Sequence, residues 1–110
     1  MIIIEKDKGK KINYEVDETR ITFDDDLSIN LAKREKDYAV HIDVCYSEDK
    51  ELVVDSKAGI YYVAQIDIPE RKYKEETYEE GGEEKTRLVP VPLDMDTVTL
   101  TLWSIERYIG

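Results

Sequence analysis

Two apolar runs separated by a charged segment constrain this chain more than any other feature of its sequence. The runs are Gly59–Ile68 and Thr97–Ile105, and the segment between them contains the pair Gly81-Gly82. Adjacent glycines are typical of a two-residue hairpin turn, because such a turn needs positive φ at its central positions. We therefore predict one long hairpin whose ends are core strands. Its middle, residues 70–87, is too poor in apolar side chains to be buried and is predicted to project as an arm.

The turn at Gly81-Gly82 determines which residues of the arm face each other. Two like-charge pairs beside the turn oppose pairing, whereas an opposite-charge pair and a tyrosine–proline pair closer to the root favour it. We therefore expect a frayed tip and a more stable stem. The predicted pairs are Glu80/Glu83, Glu79/Glu84, Tyr78/Lys85, Thr77/Thr86, Glu76/Arg87 and Tyr73/Pro90.

The same register cannot continue into the two core strands. It would place Ile66 opposite Thr97 and Ala64 opposite Thr99, so that apolar residues would face the polar side of the partner strand. A shift of one residue exchanges the two faces of a strand. Because prolines cannot donate to a ladder, Pro90 and Pro92 favour a bulge or break that absorbs one residue between Val89 and Asp96.

The remaining segments alternate apolar and polar residues with the period of two that half-buried strands show. Tyr38–Tyr46 is the clearest case, whereas Asp26–Lys36 is compatible with either a strand or a helix. The spacing of Leu27, Ile29 and Leu31 favours a strand. The expected core consists of Ile12, Tyr14, Ile21, Phe23, Leu27, Ile29, Val40, Ile42, Val44, Val53, Tyr62, Ile66, Val98, Leu100 and Leu102.

This pattern of seven to nine short strands predicts an all-β fold, a single-domain antiparallel sandwich or small barrel spanning residues 1–110. The alternative is an α+β fold with one short helix, either in Asp26–Lys36 or in Ser104–Ile109. The projecting hairpin arm, residues 70–87, belongs to the same domain in both cases.

The charge balance and the cysteine content limit the partners and the location. Acidic residues outnumber basic ones by 26 to 16, and the formal net charge is −10. Such a surface repels phosphate backbones and anionic lipids, so we expect no direct nucleic-acid or membrane binding but a protein partner or self-association. The apolar run Met1–Ile4 is too short for a signal peptide, and the lone Cys45 forms no internal disulfide. We therefore expect a cytoplasmic protein of a host cell or a component of a virion.

One constellation, His41-x-Asp43-x-Cys45, contains the chain's single histidine and single cysteine on one strand face. Neighbours on one face of a strand lie roughly 6.5–7 Å apart, which is too far for a proton relay. The spacing of Asp24–Asp26 and Asp94-x-Asp96 does not match a calcium-binding loop. The sequence therefore predicts no enzyme, no catalytic residues, no metal site and no cofactor.

Two groups of residues form the candidate interaction surface. The first lies in the predicted arm and contains Tyr73, Tyr78 and Arg87, which are residue types that anchor interfaces. The second is a stripe of three hydroxyls and an indole that could bind a strand edge, a sugar or a peptide: Thr97, Thr99, Thr101 and Trp103. The alternative for the stripe is a solvent-facing strand, since threonine is a good strand former.

Two segments carry a resemblance to a known group of proteins. They are Ile66–Tyr73, which reads IDIPERKY, and Val91–Trp103, which reads VPLDMDTVTLTLW, with an acidic, glycine-containing linker between them. About half of the chain thereby resembles the C-terminal half of small uncharacterised proteins from phages and prophages of gut Firmicutes. The resemblance implies a phage context and a role in the particle or in takeover of the host, but no activity and no site residues.

Three functions follow as hypotheses. The first is a non-enzymatic protein-interaction module, as in a phage structural or accessory protein whose arm contacts a neighbour. The second is an acidic inhibitor that mimics nucleic acid and occupies a basic groove. The third is a small-ligand or carbohydrate-binding domain that uses the face bearing the threonines and Trp103.

Overall fold

The computed structural model describes residues 1–106, and the described part is built almost entirely from strands. The prediction of an all-β fold is therefore confirmed, and the short helix of the α+β alternative is present as one turn, Leu31–Arg34, within Asp26–Lys36. The strands are β1 Ile2–Glu5, β2 Tyr14–Asp17, β3 Arg20–Phe23, β4 Leu27–Asn30, β5 Val40–Ser47, β6 Leu52–Val54, β7 Gly59–Ile68, β8 Tyr73–Glu80, β9 Glu83–Pro90 and β10 Thr99–Leu102; helix α1 is Leu31–Arg34, and a 3₁₀ turn covers Met95–Thr97.

Five strands form the larger sheet, in the order β1-β10-β7-β5-β6. Four of them pair antiparallel, but β1 runs parallel to β10, with Ile2 beside Thr99 and Glu5 beside Leu102. The expectation of a purely antiparallel architecture is therefore wrong at this edge. Because β1 and β10 come from opposite ends of the sequence, no tight turn between them dictates an antiparallel arrangement.

The smaller sheet is the meander β2-β3-β4, and its apolar side chains pack against one face of the larger sheet. Ile21 and Phe23 of β3 are fully buried there, together with Ile66 and Leu100 of the larger sheet. Both sheets are open, so the architecture is the sandwich and not the small barrel. This leaves the opposite face of the larger sheet, here called the outer face, without a covering layer from the smaller sheet.

Most of the predicted core is buried, but Tyr62 is half exposed and the assignment of its side chain to the core is wrong. On β7, Ala64 pairs with Val44 while Tyr62 pairs with Cys45, so Val63 is an extra residue that forms a bulge. A bulge reverses the alternation of faces along the strand. Val63 and Ala64 are consequently both buried, and Tyr62 lies on the outer face. Tyr14, Leu27 and Val40 are partly buried and pack against the core, but the assignment of Val53 to the core is wrong, because its neighbours Leu52 and Val54 make that contact. The buried residues that were not predicted as core are Leu31, Val63, Ala64, Ile68 and Ile105.

The ambiguous segment contains both elements that its sequence allows. Strand β4 ends at Asn30, whose side chain accepts a hydrogen bond from the Ala32 amide at 3.1 Å and caps helix α1. The preference for a strand is therefore correct through Asn30 and wrong from Leu31 to Arg34. The turn of helix directs Leu31 into the core, where its side chain is fully buried.

The arm has the predicted register at every pair, from Glu80/Glu83 to Tyr73/Pro90. Gly81 and Gly82 adopt φ of 62° and 79°, as a turn with positive φ requires. The register break also occurs, although it absorbs three residues, because Ile66 pairs with Leu100 and not with Thr97. The extra residues lie between Val91 and Thr99, where Asp94 caps the 3₁₀ turn.

The arm makes the molecule elongated, with principal extents of 69 × 25 × 21 Å. Most of the predicted last helical turn or tail, Ser104–Gly110, lies outside the described residues. Within the part that is described, no helix has the length and apolar content needed to cross a membrane.

Candidate functional site

The predicted interaction residues form two surfaces on different elements. Tyr73, Tyr78 and Arg87 lie on β8 and β9 and define the arm surface. Thr99 and Thr101 lie on β10, where Thr99 pairs with Asp67 and Thr101 pairs with Gln65. We call this second region, which continues across β7 and β5 to His41 and Asp43, the sheet surface.

Thr97 does not extend the strand as the stripe of threonines predicts. It belongs to the 3₁₀ turn, and its hydroxyl donates to the carbonyl of Asp94 at 2.6 Å. Thr97 and Thr99 nevertheless line one shallow depression together with His41 and Asp67. The structure therefore brings the threonines beside charged residues that lie 30 or more positions earlier in the sequence.

The root of the arm is attached to the segment that follows helix α1. The Arg71 guanidinium donates to the carbonyl of Glu35 at 2.8 Å, and the Arg71 amide donates to the carbonyl of Lys36 at 2.8 Å. The Tyr73 hydroxyl donates to Asp37 Oδ1 at 2.5 Å. Tyr73 therefore contributes to holding the direction of the arm as well as to its surface.

Along the stem, Arg87 connects two side chains of the opposite strand. Its guanidinium carbon lies 5.0 Å from the centre of the Tyr78 ring, and its Nε lies 3.5 Å from Glu76 Oε2. Near the turn, Lys85 reaches Glu80 at 3.9 Å. Among the described residues no cation lies within ion-pair distance of Glu79, Glu83 or Glu84, so the tip, Glu79–Glu84, presents net negative charge.

On the sheet surface, His41 lies between two carboxylates. Its Nδ1 is 2.6 Å from Asp67 Oδ1, and its Nε2 is 2.7 Å from Asp43 Oδ1. The strand-spacing argument against a His41–Asp43 contact is therefore wrong. The backbone rise separates the Cα atoms, but the side chains lean toward each other, and Asp67 approaches from the neighbouring strand.

These contacts set the protonation of the histidine. The hydrogen bond to Asp67 is the largest effect and raises the pKa of His41, burial opposes it, and Asp43 reinforces the rise. Burial acts to raise the pKa of Asp43, but hydrogen bonds from Gln65 and His41 outweigh it and lower that pKa. Both ring nitrogens of His41 are already hydrogen-bonded to carboxylates, so neither is free to take a proton from a substrate. The cluster is better suited to holding its neighbours in place.

Gln65 extends this network to the aromatic residues. Its amide nitrogen donates to Asp43 Oδ1 at 2.9 Å, and its amide oxygen accepts from the Trp103 indole at 2.9 Å. The Trp103 ring stacks on Tyr62 with a centroid separation of 5.7 Å and an interplanar angle of 27°. The Lys6 ammonium lies 5.8 Å from the centre of the indole ring. The polar residues His41, Asp43 and Gln65 thus position the rings of Trp103 and Tyr62 on the outer face.

Two depressions adjoin Tyr62 on this face. One has a volume of about 390 Å³ and lies between Tyr62 and the β6–β7 turn, where Asp55, Ser56 and Lys57 line it. The other has a volume of about 490 Å³ and is lined by Trp103 among others. Both share Tyr62 and Ile60, so they are contiguous.

Cys45 lines the first depression but is poorly suited to be a nucleophile. Burial is the main cause that raises the pKa of its thiol, with Asp43 and Asp55 adding to the rise. A raised pKa keeps the thiol protonated at neutral pH. In the described residues no group of three or more histidine, cysteine, aspartate or glutamate side chains is arranged to hold a metal ion.

Sequence reasoning missed Gln65, Asp67 and Tyr62 as parts of this surface. Gln65 and Asp67 alternate with buried residues on β7, so the sequence pattern predicts that their side chains point outward. Their positions opposite Asp43 and His41 required the pairing of β5 with β7. The outward orientation of Tyr62 depends on the bulge at Val63, and no sequence pattern predicts that bulge.

Comparison with known proteins identifies no relative: no protein-family model matches the chain, and no curated protein or solved structure matches it significantly.

Proposed function

We propose that this protein is a non-enzymatic protein-interaction module whose arm is the element that contacts the partner. The observation that carries the proposal is the projecting ribbon of β8 and β9, whose side chains are almost all exposed. A two-stranded ribbon is marginally stable in water, and ordering it costs conformational entropy without burying apolar area. A second protein surface against the ribbon would supply the missing burial.

The composition of the arm fits contact with a protein. Tyr78 and Arg87 form a pair of the residue types that contribute most to interfaces, and Leu88 is a largely exposed apolar side chain. The hydrogen bonds of Arg71 and Tyr73 at the root hold the arm in the direction that presents these residues. The phage resemblance favours a structural or accessory protein as the setting, with a neighbouring subunit or a second copy of the chain as the partner.

A second candidate is an acidic inhibitor that mimics nucleic acid. The net charge of −10 and the four glutamates of the tip support it, because such a surface is attracted to a basic groove. Under this alternative the tip, and not the tyrosine–arginine stem, makes the decisive contacts. Binding would then weaken steeply as the salt concentration rises.

Site-specific photo-crosslinking in the producing cell tests the proposal. A benzophenone amino acid replaces Tyr78 in the arm, and in a matched control it replaces Tyr38, which is also exposed but lies outside the arm. We expect a discrete adduct from position 78 and none from position 38. Mass spectrometry of the adduct distinguishes a second copy of the chain from another protein.

Trimming the arm tests both candidates, and the identity of the adduct separates them. Replacing Thr77–Lys85 by a short glycine-containing turn is expected to remove assembly seen by light scattering while the fold is retained. An adduct dominated by a nucleic-acid enzyme, captured only at low salt, would favour the acidic inhibitor. Absence of an adduct at position 78, with an unchanged assembly state after trimming, would contradict both readings of the arm.

A further inference from the structure

The depression between Tyr62 and the β6–β7 turn has the features of a built ligand site, and it is separate from the arm. Cys45 and Gly59 are among the residues that line it. A Cβ added at Gly59 would lie 2.7 Å from the Cys45 Cβ, so the two backbones approach closely only because position 59 has no side chain. Its volume of about 390 Å³ is within the range of about 300–1,000 Å³ for small-molecule sites.

One wall of the depression is an aromatic ring that is already held in position. Tyr62 is half exposed, and it stacks on Trp103. Trp103 is in turn held by Gln65, which the Asp43 carboxylate anchors. A ring supported in this way contributes contact area to a ligand with little further loss of side-chain entropy.

Three other residues that line the depression, Asp43, Asp55 and Lys57, offer unused hydrogen-bonding capacity of both kinds. Asp55 Oδ1 accepts from the Asp43 amide at 2.8 Å, and Asp43 Oδ1 accepts from His41 and Gln65. In the described part of the chain, the second carboxylate oxygen of each aspartate has no hydrogen bond. Lys57 has no ion-pair partner among the described residues, and its ammonium is a donor beside these acceptors.

This combination selects the chemical class of the ligand. A purely anionic ligand would be opposed by Asp43 and Asp55, whereas an uncharged ligand with both donors and acceptors can use the two carboxylates and the Lys57 ammonium together. A sugar ring is uncharged, presents an apolar C–H face to an aromatic ring, and carries hydroxyls that both donate and accept. Carboxylates accept from such hydroxyls, while an ammonium or a serine hydroxyl donates to them.

We propose that this depression binds one ring of an uncharged oligosaccharide, with Tyr62 as its stacking wall and Asp43, Asp55 and Lys57 as its polar contacts. The second depression, of about 490 Å³, continues past Tyr62 toward Trp103 and accommodates a neighbouring ring. The sugar chain therefore crosses the outer face over the Tyr62 side chain. The inference does not rest on the arm or on a protein partner.

Titration followed by ¹H–¹⁵N NMR tests the site on the full chain. The probes are maltotriose, cellotriose, mannotriose and N,N′,N″-triacetylchitotriose, with L-arginine and inorganic phosphate as charged comparisons. We expect at least one trisaccharide to shift the amide signals of residues 55–62 in a saturable manner. Neither arginine nor phosphate is expected to do so.

The variants form matched pairs. Tyr62→Ala is expected to weaken binding of the responding trisaccharide at least tenfold, whereas Tyr62→Phe retains the ring and is expected to change the affinity less than threefold. Asp55→Asn tests the polar wall and is expected to weaken binding by three- to tenfold. Tyr38→Ala removes an exposed tyrosine elsewhere and should leave binding unchanged. The amide spectrum of each variant reports whether it is folded.

The result separates this inference from the proposed function of the arm. The variant with a shortened arm should bind the trisaccharide as the full chain does. The inference is overturned if none of the four trisaccharides shifts residues 55–62, if folded Tyr62→Ala binds as tightly as Tyr62→Phe, or if arginine or phosphate binds there in place of the sugars.

Discussion

His41 is the residue whose charge depends most directly on its contacts with neighbouring strands. Its pKa is raised from 6.5, so its contribution to stability is fully present below pH 6.5 and is lost as the pH rises through the folded-state pKa. The pKa of Asp43 is lowered from 3.8, so the contribution of Asp43 is present above that pH and is lost as the pH falls through its folded-state pKa. The cluster therefore stabilises the fold most between about pH 4 and pH 6.5.

We predict that His41→Asn destabilises the protein more at pH 5.5 than at pH 9. About half of the His41 side chain is exposed, so solvent screening keeps the difference below about 1 kcal/mol. Urea unfolding of both proteins at the two pH values measures it. Equal losses at pH 5.5 and pH 9 would show that the imidazolium contributes through packing and not through charge.

The two faces of β10 are expected to differ in their tolerance of substitution. Leu100 is fully buried, and Leu100→Ala should lower the free energy of unfolding by about 2–5 kcal/mol through lost burial and a cavity. Val44→Ala should be damaging for the same reason. Thr99→Ala lies on the outer face and should cost well under about 1 kcal/mol. Similar losses for Leu100→Ala and Thr99→Ala, measured by urea unfolding, would contradict the assignment of faces.

The two strands of the arm pair in a defined register, but their side chains bury little surface. Its strands form every expected pair, yet among the side chains of β8 and β9 only Tyr78 and Val89 are partly shielded from solvent. Cross-strand contacts such as Arg87 with Tyr78 each contribute only about 0.2–1 kcal/mol. The pairing is consequently specific but weak.

We predict fast amide exchange in residues 75–85 of the isolated protein, approaching that of an unfolded peptide at the tip. Replacing Thr77–Lys85 by a short glycine-containing turn should change the midpoint of thermal unfolding by only a few degrees. The control is the exchange of β7, which should remain slow in both proteins. Global unfolding of the trimmed protein would show that the arm belongs to the core.

Strand β1 is an edge of the larger sheet and carries three isoleucines in a row, each between 43% and 51% exposed. An apolar edge strand is a template for pairing with another chain. We predict that Ile3→Lys lowers concentration-dependent association measured by light scattering, whereas Asn13→Lys, which adds the same charge away from the edge, does not. An equal effect of both substitutions would assign the change to net charge.

For the whole molecule, the net charge of −10 opposes compactness through repulsion between like charges. Added salt shortens the range of this repulsion from roughly 30 Å at 0.01 M to 3 Å at 1 M. We predict that the thermal midpoint rises by a few degrees over this range. Replacing Glu79, Glu83 and Glu84 by glutamine should reduce the increase. A midpoint that falls with salt would indicate that attractive ion pairs dominate.

Local patterns were sufficient to predict the strands, the register of the arm and most of the core. Alternation with period two reports the faces of a strand directly, and Gly81-Gly82 determines the pairing on both sides of the turn. Both signals depend on residues that are close in sequence. The pairs Tyr78/Lys85 and Glu76/Arg87 were therefore predictable from the sequence.

Tertiary structure alone decided the features that depend on distant segments. The parallel pairing of β1 with β10 and the contacts of His41 and Asp43 with Asp67 and Gln65 join parts of the chain that no turn connects. The bulge at Val63 arises from fitting β7 against β5, and it moves Tyr62 from the expected core to the outer face. Composition and periodicity cannot predict such pairings, because the free energy that selects them comes from packing two sheets around one shared core.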